Sequence, residues 1–354
     1  MWKKTLTLLL IPFLSYSQEN IKLCQVPHIS ESYSETILIA DLKHHLKILA
    51  SDSLEGRETG KEGQKMAADY IMNHFKDIGI PPYKKNTYYQ KFKVKSGRHL
   101  CKCDDCDVSL VKKIFKNKKK IKGENVLGYI EGTDLKDELI IITAHYDHLG
   151  KHDSLIFNGA DDDGSGTVAA MEIAEAFMLA KKAGNGPRRS ILIMPVSGEE
   201  KGLLGSKYYA ENPIYPLEST VANLNIDMIG RIGDFKDNPN YVYLIGSDML
   251  STDLHDISEE VNKKHIGLEL DYTFNKEDDP NRYYYRSDHY NFAKNNIPVI
   301  FYFNGLHEDY HKTTDTIEKI NFQKIETIAR LVFLTAWELA NRDERIVVDK
   351  PTEK

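Results

Sequence analysis

Residues 139–147 read Leu-Ile-Ile-Ile-Thr-Ala-His-Tyr-Asp (LIIITAHYD), and this stretch decides the fold. Leu139 to Ala144 is a continuous apolar run with no alternation of polar residues. A strand that is buried on both faces needs such a run, because both pleat directions meet hydrocarbon. His145 and Asp147 stand at its carboxyl end, where open α/β sheets place their sites, in the crevice beyond the strands.

The same grammar repeats outward from this strand. Upstream, residues 36–50 and 61–78 carry apolar positions at helical spacing, and Gly79 stops the second helix. Residues 86–130 alternate as strands, interrupted by a cysteine- and lysine-rich insert at about 96–122. Downstream, Gly159 to Gly166 (GADDDGSG) leads into a helix over 166–180. Strands follow at Ser190–Val196, Val221–Ile226, Tyr241–Ile245 and Ile297–Phe303, with helices at 203–210, 251–263 and 321–341 between and after them. Strand and helix alternate without an internal repeat, so the chain reads as one α/β domain over about residues 36–345. A segment at 18–35 precedes it and a tail at 346–354 follows it, and the charged end of the chain from Arg342 is expected to fray.

The first 17 residues read as a signal peptide. Lys3 and Lys4 give a positive start, Leu6 to Leu14 a short apolar stretch, and Ser15-Tyr16-Ser17 small residues for cleavage before Gln18. The expectation is export, to a periplasm or the outside, without stable membrane insertion, since no apolar run is long enough to span a bilayer. A formal net charge of −6 gives no general attraction to nucleic acid or anionic membrane. The basic run Lys112–Lys122 reads as a solvated loop or hairpin edge. In an exported chain Cys24, Cys101, Cys103 and Cys106 read as disulfide partners, with the connectivity open.

Five groups of metal-ligand residue types sit at successive strand ends. His145 and Asp147 leave one face of an extended strand, which suits a ligand His backed by a carboxylate on its other ring N–H. Asp161-Asp162-Asp163 repel one another unless cations neutralise them, and one of the three can bridge two metals. In Glu199-Glu200 one carboxylate can coordinate while its neighbour takes a proton from an activated water. Asp227, flanked by apolar residues, needs a partner for its charge. His311 follows the last core strand. Oxygen and imidazole donors without thiolate suit zinc at a catalytic site.

With these residues assembled, the chain resembles the di-zinc aminopeptidases of metallopeptidase family twenty-eight. The likeness runs through Leu54-Glu55-Gly56-Arg57 with Thr59-Gly60, His145 to His148, Gly159 to Gly166 and Ser197 to Glu200. It continues through Asn225 to Gly230, Arg286 to His289 and His311 to Thr316. The resemblance implies a central mixed, mostly parallel sheet flanked by helices on both faces. It implies two Zn2+ per chain, one held by His145 and Asp227 and the other by Glu200 and His311, with Asp162 between them. Glu199 would be the general base, Tyr310 an oxyanion donor and Arg286 a substrate contact, on peptides with a free N-terminus.

Three rivals share the architecture. A glutaminyl cyclase is expected to place a tryptophan just before the final histidine ligand, where this chain has Tyr310. A carboxypeptidase or dipeptidase needs extra basic residues for a substrate carboxylate, and Arg286 alone does not establish that. A non-catalytic receptor-like domain has usually lost ligands or the base, whereas all six inferred positions stand here.

Overall fold

A computed structural model describes residues 29–95, 120–276 and 278–350. The stretch read as a signal peptide, all four cysteines and most of the lysine run therefore lie outside the described residues. In chain order the helices are α1 (Ile29–Ser34), α2 (Ile39–Leu49), α3 (Glu62–Asp77), α4 (Gly166–Lys182), α5 (Leu204–Glu211), α6 (Thr252–Val261), α7 (Tyr290–Ala293) and α8 (Phe322–Asn341). The strands are β1 (Tyr89–Lys95), β2 (Lys120–Val126), β3 (Gly128–Ile130), β4 (Leu135–His145), β5 (Gly150–His152), β6 (Leu155–Phe157), β7 (Arg189–Val196), β8 (Thr220–Ile226), β9 (Tyr241–Ile245), β10 (Glu269–Asp271) and β11 (Val299–Phe303).

Seven strands form the central sheet in the order β10-β9-β11-β8-β4-β7-β3. The four neighbour pairs β10/β9, β11/β8, β4/β8 and β4/β7 are parallel, while β11/β9 and β3/β7 are antiparallel. The sheet is thus mixed and mostly parallel. β11, β8, β4 and β7 all point the same way, so their carboxyl ends share one rim. β1 and β2 pair separately as an antiparallel ribbon.

The apolar runs are explained by two cores, one on each face. Along β4, Ile140, Ile142 and Ala144 enter one core with α2, α3, α4 and α8, and Leu139 and Ile141 enter the other. β7 divides likewise, Ile191 and Ile193 against Leu192, Met194 and Val196. Every second side chain needs to be apolar for one core, and the intervening ones for the other.

The packed body extends further at both ends than the sequence suggests. Helix α1 lies within residues read as a leading segment, yet Tyr33 stacks on Trp337 at 5.8 Å between ring centroids. The tail does not fray from Arg342: Ile346 is buried, and Val347 N–H donates to Asp253 Oδ2 at 2.9 Å. One polar seam crosses the helical layer. Glu172 of α4, buried, faces His45 of α2 at 3.2 Å, and the other ring nitrogen of His45 meets Tyr70 of α3 at 2.7 Å.

Candidate metal centre

His145 ends β4, Glu199-Glu200 follow β7, Asp227 follows β8 and His311 lies beyond β11, all on the common rim. The three aspartates occupy the segment Ala160–Ser165 that feeds α4. Gly159 starts this segment at φ +56°, and a Cβ there would stand 2.3 Å from Asp162 O and 2.5 Å from His148 Cγ. The tight turn brings the aspartates over the sheet rim because no side chain intervenes.

The run of three carboxylates resolves into three separate tasks. Asp161 accepts from Gly230 N–H at 2.6 Å and meets His307 Nε2 at 3.1 Å. Asp163 accepts from the main-chain N–H groups of Gly166 at 2.9 Å, Met228 at 3.0 Å and His145 at 3.1 Å. These two knit the loop to β4 and to the segment after β8. Asp162 alone is aimed outward, between the histidines.

Around Asp162 the distances fall into two sets. His145 Nε2 lies 3.2 Å from Asp162 Oδ1 and 3.5 Å from Asp227 Oδ1. His311 Nε2 lies 3.2 Å from Asp162 Oδ2 and 3.4 Å from Glu200 Oε2. Donor atoms bound at about 2.0–2.1 Å to one tetrahedral zinc stand roughly 3.3 Å apart. Both sets match that spacing, and they share Asp162 through its two different oxygens. His145, Asp163 and Asp227 also cluster closely enough to hold an ion, but hydrogen bonds already occupy both Asp163 oxygens.

The electrostatics ask for cations in the same places. Burial alone would lower the His145 pKa, yet Asp227 and Asp162 raise it well above the usual imidazole value. His311 is pushed up to about 10 by Asp162 and Glu200, against the opposing effect of burial. Burial would raise Asp162, but His148, His145 and His311 hold it well below the carboxylate range. Imidazoles here take up positive charge that divalent ions would supply, while Asp162 Oδ2, buried, lacks a hydrogen-bond partner among the described residues. The residues fit a pair of zinc ions.

Glu199 behaves differently from its neighbour. Burial raises its pKa well above the usual value, with Glu200 and Asp227 adding to the effect and His145 opposing it. It faces the same cavity as His145, Asp162 and Asp227. Tyr310 lines this cavity too, its ring stacked on His311 with centroids 3.8 Å apart. Burial, with Asp162 and Glu200 nearby, pushes its phenol well above the usual range, so the hydroxyl keeps its proton. Arg286 stands exposed at the cavity edge, its guanidinium over the Tyr283 ring at 5.1 Å, with no carboxylate partner among the described residues.

Asp147 sits beside His145 but not in the expected contact. The His145 Nδ1 proton meets the Asp147 main-chain carbonyl at 3.0 Å, whereas the nearer carboxylate oxygen is 3.9 Å away. The carboxylate instead accepts from Thr59 Oγ1 at 2.5 Å and from the Glu199 N–H at 3.3 Å. Asp147 therefore fixes the histidine through its backbone and the Glu199 loop through its side chain.

Sequence reading missed the anchors that come from elsewhere in the chain. Arg57, buried, donates to the carbonyls of Tyr146 at 2.8 Å, Leu49 at 2.5 Å, Asn158 at 2.6 Å and Gly159 at 2.8 Å, tying both ligand loops together. Asp315 accepts from the N–H groups of Asp161 and Asp162 at 3.1 Å. Ser287 Oγ donates to Asp227 Oδ2 at 2.6 Å and is itself held by Asn225 Nδ2 at 2.9 Å. All three lie in motifs that the resemblance covers, and that was the available signal.

The model of Peptidase family M28 matches residues 125–336. A probable leucine aminopeptidase of Arthroderma otae is 29% identical over 288 residues, 78% of this chain and 74% of that relative. A probable glutamate carboxypeptidase of Arthroderma benhamiae is 38% identical over 118 residues, 32% of this chain, and the match spans only 15% of the relative's length. Among solved structures, a zinc aminopeptidase from Bacillus subtilis superposes with a TM-score of 0.64 at 16% identity, over 88% of this chain and 98% of that one. The chain belongs to peptidase family M28.

Proposed function

We propose that the chain is a di-zinc aminopeptidase, removing N-terminal residues from peptides. The observation behind this reading is the pair of donor sets that meet on the two oxygens of Asp162. His145, Asp162 and Asp227 would hold one ion, and Asp162, Glu200 and His311 the other. Bound there, zinc supplies Lewis acidity toward a carbonyl and lowers the pKa of water.

The chain's own residues supply the remaining chemistry. Glu199 accepts a proton and delivers it to the leaving amine, because its raised pKa lies closer to working pH than an ordinary carboxylate's. Tyr310, kept protonated, donates to a developing oxyanion. The excess of carboxylates favours a substrate's free α-ammonium group over a blocked terminus. Met228, Phe301, Phe303, Leu306 and Tyr283 form an apolar wall of the same cavity and favour an apolar N-terminal side chain. The carboxypeptidase reading has one cation of the cavity lining in its support, Arg286, and the names of relatives matched over about a third of the chain.

A panel of aminoacyl anilides and free or N-acetylated dipeptides, with and without chelator, separates the readings. Hydrolysis of leucyl and phenylalanyl anilides, lost with chelator and restored by zinc, is expected. Cleavage of N-acetylated dipeptides at comparable rates would contradict an aminopeptidase and favour the carboxypeptidase.

Export belongs to the same proposal, supported by the signal-like residues 1–17. The mature protein recovered outside the cytoplasm should begin at Gln18, and an intact Met1 there would contradict it.

A further inference from the structure

His148 stands against the second donor set and has no part in the chemistry assigned to that site. It is fully buried, and neither ring nitrogen has a well-directed hydrogen-bond partner among the described residues. Its Nδ1 is 2.9 Å from Glu200 Oε1, an oxygen that also lacks a partner, and 3.7 Å from Asp162 Oδ2. Three buried polar atoms therefore converge here, the imidazole Nδ1 and one oxygen from each carboxylate.

The distances distinguish two kinds of contact. The pairs assigned to a shared cation under the two-cation reading stand 3.2–3.5 Å apart. The His148–Glu200 contact is shorter and falls within hydrogen-bond range, while the His148–Asp162 separation exceeds both. The two oxygens of Glu200 are also divided: Oε2 faces His311 and Oε1 faces His148.

We propose that His148 positions Glu200, its Nδ1–H donating to Oε1 so that only Oε2 is offered to the second cation. The assignment rests on the two-cation reading. Three protein donors, Asp162, Glu200 and His311, then leave a coordination position open, as a catalytic site requires, whereas a fourth imidazole ligand would close it. The backbone keeps the ring in place. His148 N–H donates to Arg57 O at 3.3 Å, and Gly159 packs so closely that a Cβ there would meet the ring at 2.5 Å.

Zinc affinity at each position, measured by competition with a chromophoric chelator, tests this without relying on turnover. His148→Leu should weaken one of the two zinc ions by about 10–100-fold and leave the other unchanged. His148→Asn, whose amide N–H₂ falls near the lost Nδ1, should recover most of that affinity. Unchanged binding in both variants would overturn the assignment. Should the variants fail to fold, ¹H–¹⁵N spectra of the zinc-loaded wild-type protein with ¹⁵N-histidine decide: a proton on Nδ1 of His148 supports the proposal, and a metal-bound Nδ1 overturns it. A folded wild-type chain that binds fewer than two zinc ions would count against the two-cation centre itself, a result distinct from any change on substitution.

Discussion

Adjacent residues in this site have opposite electrostatic fates. Glu200, held by His148 and His311, has its pKa lowered to about 2 even though burial and Asp162 work against this, while burial raises Glu199 well above the carboxylate range. Glu199→Gln should accordingly keep both zinc ions, measured by elemental analysis, and lose turnover by roughly 10²–10⁴-fold. Loss of zinc with turnover would place Glu199 among the ligands. Residue types and spacing showed which loops hold the site, but only the family resemblance, not the spacing, singled out Asp162 among Asp161, Asp162 and Asp163. That choice depends on partners far along the chain, Gly230 and His307 for Asp161, Met228 for Asp163. Local spacing has no access to such contacts. For the same reason Asp147 was assigned to the imidazole when its carboxylate serves Thr59 and Glu199.

Among the elements, β4 was the most legible and is central in the sheet. Its side chains fill both cores, so Ile142→Ala should cost about 2–5 kcal/mol in chemical denaturation, through lost burial and a residual cavity. A cost below about 1 kcal/mol would mean that the site collapses freely. The seam between α2, α3 and α4 was invisible in sequence because helical periodicity marks faces, not the polar residues that pair across them. Burial, aided by Glu175 and Asp41, pushes the Glu172 carboxyl up to about 8, and burial with His44 pulls His45 down to about 4. Both partners are neutral near pH 7. For Glu172 the folded pKa exceeds the unfolded value of 4.5, so its contribution is whole below about 4.5 and declines as pH rises toward about 8. Glu172→Gln removes that slope. Its stability relative to wild type should grow between pH 5 and 8 by a few kcal/mol, at most about 1.4 kcal/mol for each pH step of one, and then level off. A pH-independent difference would show that Glu172 is not protonated in the folded state.

At the scale of the whole molecule, fold and site are one consequence of strand direction. β11, β8, β4 and β7 run parallel, so residues separated by as many as 166 positions, His145 and His311, reach the same rim. No helix among the described residues is long and apolar enough to cross a membrane. The central claim is that two zinc ions sit on the two oxygens of Asp162. An anomalous difference map at the zinc edge, from crystals of the zinc-loaded protein, tests it most directly. The expected result is two peaks about 3.5 Å apart, one within about 2.2 Å of His145, Asp162 and Asp227 donors and the other of Asp162, Glu200 and His311 donors. A single peak, or one seated on Asp163 in place of Asp162, would contradict the account.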